Sequence, residues 1–290
     1  MSKFSTAESV ALFRAAGALQ PERELRNPDL YASRILPWWP PLLASIKIPG
    51  LRHVVSRSIR RKWAAGLWYE VIRTKYMDGV LSASTAAGAT QVVLLGAGFD
   101  TRAHRMQQET GTTSVFEVDQ PRMSARKQER ARALPRSCVR YLAADLEKDD
   151  LAEVLRKGGF DPSAKTVVLW SGVTPYLRRE GVDTTLRWFA QQVPGSSLVF
   201  DYCWQEVLDG TTVLPEAQTV LQDVAARGEP WRWGIRRGRA NELLAAYRLD
   251  LVEDLEGTEA QHRYLKRTDG SVQGPIWFFG GFVHAQVSDS

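Results

Sequence analysis

From residue 90 onward, short apolar runs alternate with stretches of helical period. The runs are "QVVLLG", "TSVFEVD", "CVRYLAAD", "KTVVLWSG", "SSLVFDY", "LDLVEDL" and "WFFGGFVHA". Several are apolar on both faces, as strands buried in a parallel sheet are. Between them lie "QPRMSARKQERARAL", "LAEVLRKGGF", "EGVDTTLRWFAQQV" and "ANELLAAYR", which suit helices. This alternation predicts an α/β fold with a doubly wound parallel sheet. The first 80 residues read as helical. "TAESVALFRAAGAL" starts with a capping-box pattern at Thr6, with Glu8 in the first turn. Prolines in "LPWWPPLLASIKIPG" interrupt the segment before a second helical stretch, "KWAAGLWYEVIRTKYMDGVL". Trp38, Trp39, Trp63 and Trp68 fall here, where dense aromatics are expected to pack between helices or roof an apolar pocket.

Bulk properties narrow the picture. The chain has 290 residues, 44% of them hydrophobic, enough for a substantial core. Its 38 basic and 33 acidic residues leave a net charge of +5, a mild tilt that would not repel an anionic substrate. Cys138 and Cys203 lie far apart, so neither a disulfide framework nor a cysteine metal site is expected. The polar N-terminus lacks a signal-peptide pattern, and no apolar run approaches the ~20 residues of a membrane span. The expectation is a cytoplasmic protein with no membrane partner and no metal.

The chemistry gathers around "QVVLLGAGFDTRAHR". Strand ends in an open parallel sheet are where ligands sit. Gly96 and Gly98 let the chain turn tightly and let a ligand approach the backbone. Thr101 stands where a dinucleotide fingerprint has its third glycine. The next strand ends at Asp119, whose carboxylate can accept from both hydroxyls of a ribose; Glu117, on the same strand face, is the runner-up. At the third strand end, Asp145 suits an adenine amine and the Leu146 amide a ring nitrogen, although Asp145 could instead cap the following helix. Ribose occurs in both NAD and S-adenosylmethionine; the adenine site needs no phosphate-binding cations, which suits the latter.

Together these residues resemble the leucine carboxyl methyltransferase family, particularly its bacterial small-molecule carboxyl methyltransferases. "VVLLGAGFDTRAHR", "FEVDQPRMSARK", "GFDPSAKTVVLWSGVTPYL" and "GEPWRWGI" carry the likeness over nearly the whole chain. The resemblance implies a class I methyltransferase: a Rossmann-like, seven-stranded, mostly parallel sheet with helices on both faces and an N-terminal helical lid. One domain is expected over 1–290, with the lid at 1–85, the cofactor-binding core at 88–204, a substrate-side insertion at 205–240 and the end of the sheet at 241–290. It implies S-adenosylmethionine as cofactor. Arg73, in "VIRTKY", would hold the methionine carboxylate, Gly96 and Gly98 would meet the methionine portion, Asp119 the ribose, and Asp145 with Leu146 the adenine. Lys75 could assist Arg73. Ser171 stands where the family has an acid that contacts the cofactor's amino group.

Methyl transfer from a sulfonium needs no acid, and a carboxylate acceptor, ionised at neutral pH, needs no base. The protein then aligns the reactants in a dry pocket. No catalytic dyad is expected, only positioning by Trp170 and Tyr176. Trp170, Thr174, Tyr176, Trp231 and Trp233 are the candidate acceptor contacts, with Arg232, Arg236 or Arg237 available to an acid. The acceptor expected is a small apolar, aromatic or polyketide-like acid of bacterial secondary metabolism. A phenol or a peptide C-terminus remains open, and a phenol would call for a base such as His104 or His262. An NAD-dependent oxidoreductase is disfavoured by the absent third glycine. A nucleic-acid module is disfavoured because "WRWGIRRGR" is a single basic-aromatic patch. The oligomeric state is not legible.

Overall fold

The computed structural model describes residues 5–39, 41–107, 111 and 113–288. Seven strands form one sheet: β1 Gln91–Leu95, β2 Ser114–Asp119, β3 Val139–Ala143, β4 Thr166–Trp170, β5 Ser197–Cys203, β6 Leu249–Glu256 and β7 Gly280–Val287. Their order is β3-β2-β1-β4-β5-β7-β6. The first five run parallel, and β7 lies antiparallel between β5 and β6. The doubly wound α/β sheet expected from the alternation is therefore present, with the seven strands that the resemblance implies. The chain starts at β1 and moves outward to β3, then restarts at β4, so β1 and β4 flank the switch point at which such sheets open a crevice.

Strand periodicity sorts the core into two layers. Val92, Leu94, Val167, Leu169 and Val199 face one side, against helices α1 (Thr6–Gly17) and α5 (Ala64–Ala86). The short helices α2 (Ala32–Ile35) and α3 (Pro41–Ser45) and the longer α4 (Arg52–Lys62) connect these two. Val93, Leu95, Val168, Trp170, Leu198 and Phe200 face the other side. α6 (Arg102–Arg105) and α7 (Pro121–Ala131) give Ala103 and Ala131 to the first layer, whereas α8 (Leu151–Lys157) and α9 (Arg179–Phe189) supply Leu155, Leu186 and Phe189 to the second. The later helices are α10 (Gln205–Leu208), α11 (Pro215–Ala226), α12 (Ala240–Ala245) and α13 (Gly257–Tyr264). None of the described helices is long and apolar enough to cross a membrane.

Two local expectations shift. The capping box of α1 is built on Ser5, not Thr6: Ser5 Oγ accepts from the Glu8 amide while the Glu8 carboxylate receives the Ser5 amide. This frees the Thr6 hydroxyl to donate to Glu229. Among the N-terminal tryptophans, Trp68 is wholly buried, but Trp38 and Trp39 are 69% and 71% exposed and pack into no core.

The polar half of the glycine motif is a buried charge web. Asp100 receives the Arg102 amide at 2.7 Å and pairs with its guanidinium. Asp78, on α5, accepts from Arg102 and Arg105 at 2.7 Å each. Asp29 takes Arg14 Nε at 2.9 Å and the Thr101 hydroxyl at 2.5 Å. Lys127 bridges Glu117 (2.9 Å) and the Asp100 carbonyl. Burial would raise the Asp100 carboxyl, but Arg102, Arg14, Lys127 and Arg105 hold it well below the usual carboxylate range. Thr101 thus has a different use from a third glycine: it ties the turn to the N-terminal segment.

Candidate active site

Two cavities lie beyond the carboxyl ends of the parallel strands. The larger, about 380 Å³, crosses the switch point and is lined by the β1 turn, Asp119, Asp145, Leu146 and Ser171. The second, about 250 Å³, is mostly apolar, with Phe13, Trp63, Tyr69, Trp231, Trp277 and Phe279 in its wall. Thr6, Val10, Arg73, Gly172 and Tyr176 line both. The cavities therefore meet along one seam, roofed by α1.

In the larger cavity, Gly96 has φ +60°, and a Cβ there would overlap Val173. Gly98, at φ +49°, donates its amide to Asp119 at 2.6 Å, and Gln120 donates to the other oxygen at 2.7 Å. Burial raises the Asp119 carboxyl, and these two amides pull it back. They also fix its orientation while leaving lone pairs for a diol. Asp145 accepts from the Glu147 amide at 3.0 Å and pairs with Lys148. It does not cap α8; Asp150 does, accepting from Ala152 and Glu153. The Leu146 amide donates to no described acceptor, so an acceptor site and a free donor stand side by side at the cavity's outer end. That donor set fits an adenine edge and a ribose.

At the seam, the Arg73 guanidinium is fixed between two acids. It pairs with Glu70 on its own helix and with Asp201 of β5 at 2.9 Å. Although burial opposes it, the two carboxylates raise the Arg73 pKa, keeping it charged. Asp201 also receives the Gly172 amide at 2.6 Å. Gly172 has φ +67°, and a Cβ there would sit 2.5 Å from Arg73 Nη1. Two of five N–H groups are used, leaving donors for a further carboxylate. Asp201 was not singled out from the sequence: it lies 128 positions from Arg73 in a run that reads as an ordinary buried strand. Its partial signal was the lone acid inside "SSLVFDY". Arg14, whose side chain reaches the Phe99 carbonyl at 2.6 Å beside the larger cavity, was missed likewise.

Three proposed acceptor contacts are corrected. Trp170 alternates with Leu169 and so faces away from the α1 layer; it is fully buried, edge-on to Phe200 at 6.1 Å, and lines neither cavity. Thr174 is buried with its hydroxyl on the Asp201 carbonyl at 2.5 Å. Trp233 packs in the same layer as Trp170, its carbonyl receiving Cys203 Sγ at 3.3 Å. Tyr176 and Trp231 remain on the acceptor-side wall, with ring centroids 6.2 Å apart. Lys75 turns away to the Glu24 and Tyr264 carbonyls. Glu117 is taken by Lys127. His104 is held by the Pro135 carbonyl and Tyr141, and neither it nor His262 lines either cavity. Arg232 reaches the rim of the larger cavity, while Arg236 and Arg237 pair outside with Asp209 and Glu256. Among the described residues, no group of His, Cys, Asp and Glu is arranged to hold a metal ion.

A 3-2-1-4-5-7-6 sheet with an antiparallel seventh strand, and a cleft across its switch point, is the class I methyltransferase fold. The model of the leucine carboxyl methyltransferase family matches residues 7–190, and the chain belongs to that family. A relative from Mycolicibacterium smegmatis, provisionally named an S-adenosyl-L-methionine-dependent methyltransferase, is 33% identical over 70% of this chain and 68% of its own. A similarly named protein from Mycolicibacterium paratuberculosis is 34% identical over 62% and 57%. The chain thus spans somewhat over half to two thirds of the length of these relatives. Among solved structures, a DUF574 family protein from Streptomyces avermitilis has the same fold. Its TM-score is 0.59 at 18% identity, covering 88% of this chain and 96% of that one.

Proposed function

We propose that this protein is an S-adenosylmethionine-dependent O-methyltransferase that forms a methyl ester on the carboxylate of a small apolar acid. The observation that carries the reading is the seam: a polar cleft suited to a nucleoside and an apolar chamber meet at Arg73, Gly172 and Tyr176. S-adenosylmethionine supplies an electrophilic methyl on a sulfonium. In this reading Asp119 holds the ribose, Asp145 and Leu146 the adenine, and Gly96 and Gly98 the methionine portion. The spare Arg73 donors take the methionine carboxylate. Ser171 brings no charge, but Asp201 and Glu70, one strand and one helix away, supply the acid the amino group needs.

Among the described residues, neither His nor Lys lies in the wall of the apolar chamber. An acceptor that arrives ionised needs neither. Tyr176, whose pKa burial raises, stays protonated and able to donate to an acceptor oxygen. Trp231 supplies a flat apolar wall. At about 250 Å³ the chamber sits at the small end of ligand pockets, which favours a small acid over a peptide terminus.

A second reading has an observation of its own. Glu70 lines the acceptor chamber, and burial raises its carboxyl despite Arg73, as a base for a phenol would require. Screening acids and phenols with isotope-labelled donor separates the two. An ester product is cleaved by mild alkali; an aryl ether survives it and makes turnover depend on Glu70→Gln. Absence of calorimetric heat with both the donor and its demethylated by-product, on ligand-stripped protein, defeats both readings.

A further inference from the structure

Between Asp29 and Glu70 the chain has no acidic residue and seven Lys or Arg, five of them in α4. That exceeds the net charge of the whole protein, so the remainder is net negative. None of the seven is ion-paired among the described residues. Arg60 reaches only the Gln20 amide oxygen at 3.0 Å, and Lys47 lies over the Trp38 ring at 4.8 Å and reaches the Arg34 carbonyl at 3.4 Å. The same segment holds most of the protein's exposed large apolar side chains: Trp38, Trp39, Ile48, Leu51, Val54 and Trp63. In α4, Ser56 and Ile59 are buried, and Arg57, Arg61 and Val54 point outward.

We infer that this basic, tryptophan-bearing segment docks the protein onto an anionic lipid bilayer. Tryptophan is at home at the headgroup level, where its ring is half apolar, and nearby Lys and Arg are drawn to anionic headgroups. The exposed Ile, Leu and Val add side chains that gain from hydrocarbon and have little to offer a nucleic acid. A second copy of the chain is a poor occupant, because a self-complementary contact would oppose cations to cations with no acid to pair them. The earlier expectation of no membrane partner rested on the lack of a spanning segment, and surface docking requires none. Trp63, at the junction of α4 and α5, belongs both to this segment and to the wall of the apolar chamber. Docking would bring that wall close to lipid.

The test is co-sedimentation of the full chain with sucrose-loaded vesicles of phosphatidylcholine, alone or with one third phosphatidylglycerol. Binding is expected only with the anionic vesicles, and to fall as salt rises. Each cation near such a surface is worth about fivefold in partitioning, so R57A/R61A should weaken binding about 25-fold. W38A/W39A should weaken it by a further order of magnitude or so. All four side chains are exposed and outside the cleft, so donor binding and thermal midpoint should not change. Equal binding to both vesicle types, or none at low salt, overturns the proposal. So does binding that survives both variants. Retention on single-stranded RNA, or a dimer abolished by the same variants without vesicle binding, would reassign the segment and equally overturn it.

Discussion

The protein treats two sets of arginines in opposite ways. Arg14, Arg102 and Arg105 are buried beneath the glycine turn, each matched to Asp29, Asp78 or Asp100. In α4, Arg52, Arg57 and Arg61 are exposed and Arg60 is half-buried, and among the described residues none of them is matched to an acid. Burial explains the difference. A charge removed from water must be paired and hydrogen-bonded, whereas an exposed one is hydrated at little cost. The buried set therefore reports on how the site is held, and the exposed set on what the surface can meet. Arg73 stands between them: buried and paired like the first set, yet with donors left over at the seam.

The strongest way to break this contrast is to remove Asp78, the acid shared by two buried guanidinium groups, which leaves Arg102 with Asp100 alone and Arg105 with only Asp29, at 4.0 Å. Asp78→Ala should destabilise the fold by about 3–5 kcal/mol, read as a lowered urea midpoint. Next comes pH. Burial pushes Glu117 up to about 7, with Lys127 pulling the other way. As pH rises from about 4.5, the unfolded chain loses this proton while the folded chain keeps it to about 7. Stability should therefore fall across that window, by at most about 3 kcal/mol, and then level off. Glu117→Gln should flatten the slope, and an unchanged slope would assign it to other groups. A smaller effect is expected at Asp119. Asp119→Asn keeps the shape but removes the charge, and should weaken donor binding about tenfold by calorimetry. The smallest change belongs to the exposed set: Arg57→Ala should shift stability by no more than about 0.5 kcal/mol. A large loss there would mean the contrast is wrong.

Much of the fold was legible because its cues are local. Gly96-Ala97-Gly98 marks the turn, Asp119 ends its strand, and the alternating runs place the sheet. Face assignment at a fully apolar strand was not legible. "TVVLW" is buried on both sides, so nothing in it says that Trp170 joins Phe200 while Leu169 turns toward α1. Long-range polar pairing was equally hidden: Asp201, on the fifth strand, meets Arg73 from 128 positions away. Trp38 and Trp39 misled for another reason. A tryptophan is usually recruited inward, and only three-dimensional packing shows where no partner layer exists to receive it.

Gly172 has a consequence for how such an enzyme can diversify. Its amide is committed to Asp201, and its missing side chain leaves the room that Arg73 fills. The distance between the two chambers is thus set by main chain, which mutation of neighbouring side chains scarcely moves. The far wall, by contrast, is drawn from α11 and Trp231, which adjust without disturbing that spacing. On the proposed function, redirecting the protein to a new acceptor is accordingly a matter of repainting one wall while the meeting point of the reactants stays where it is.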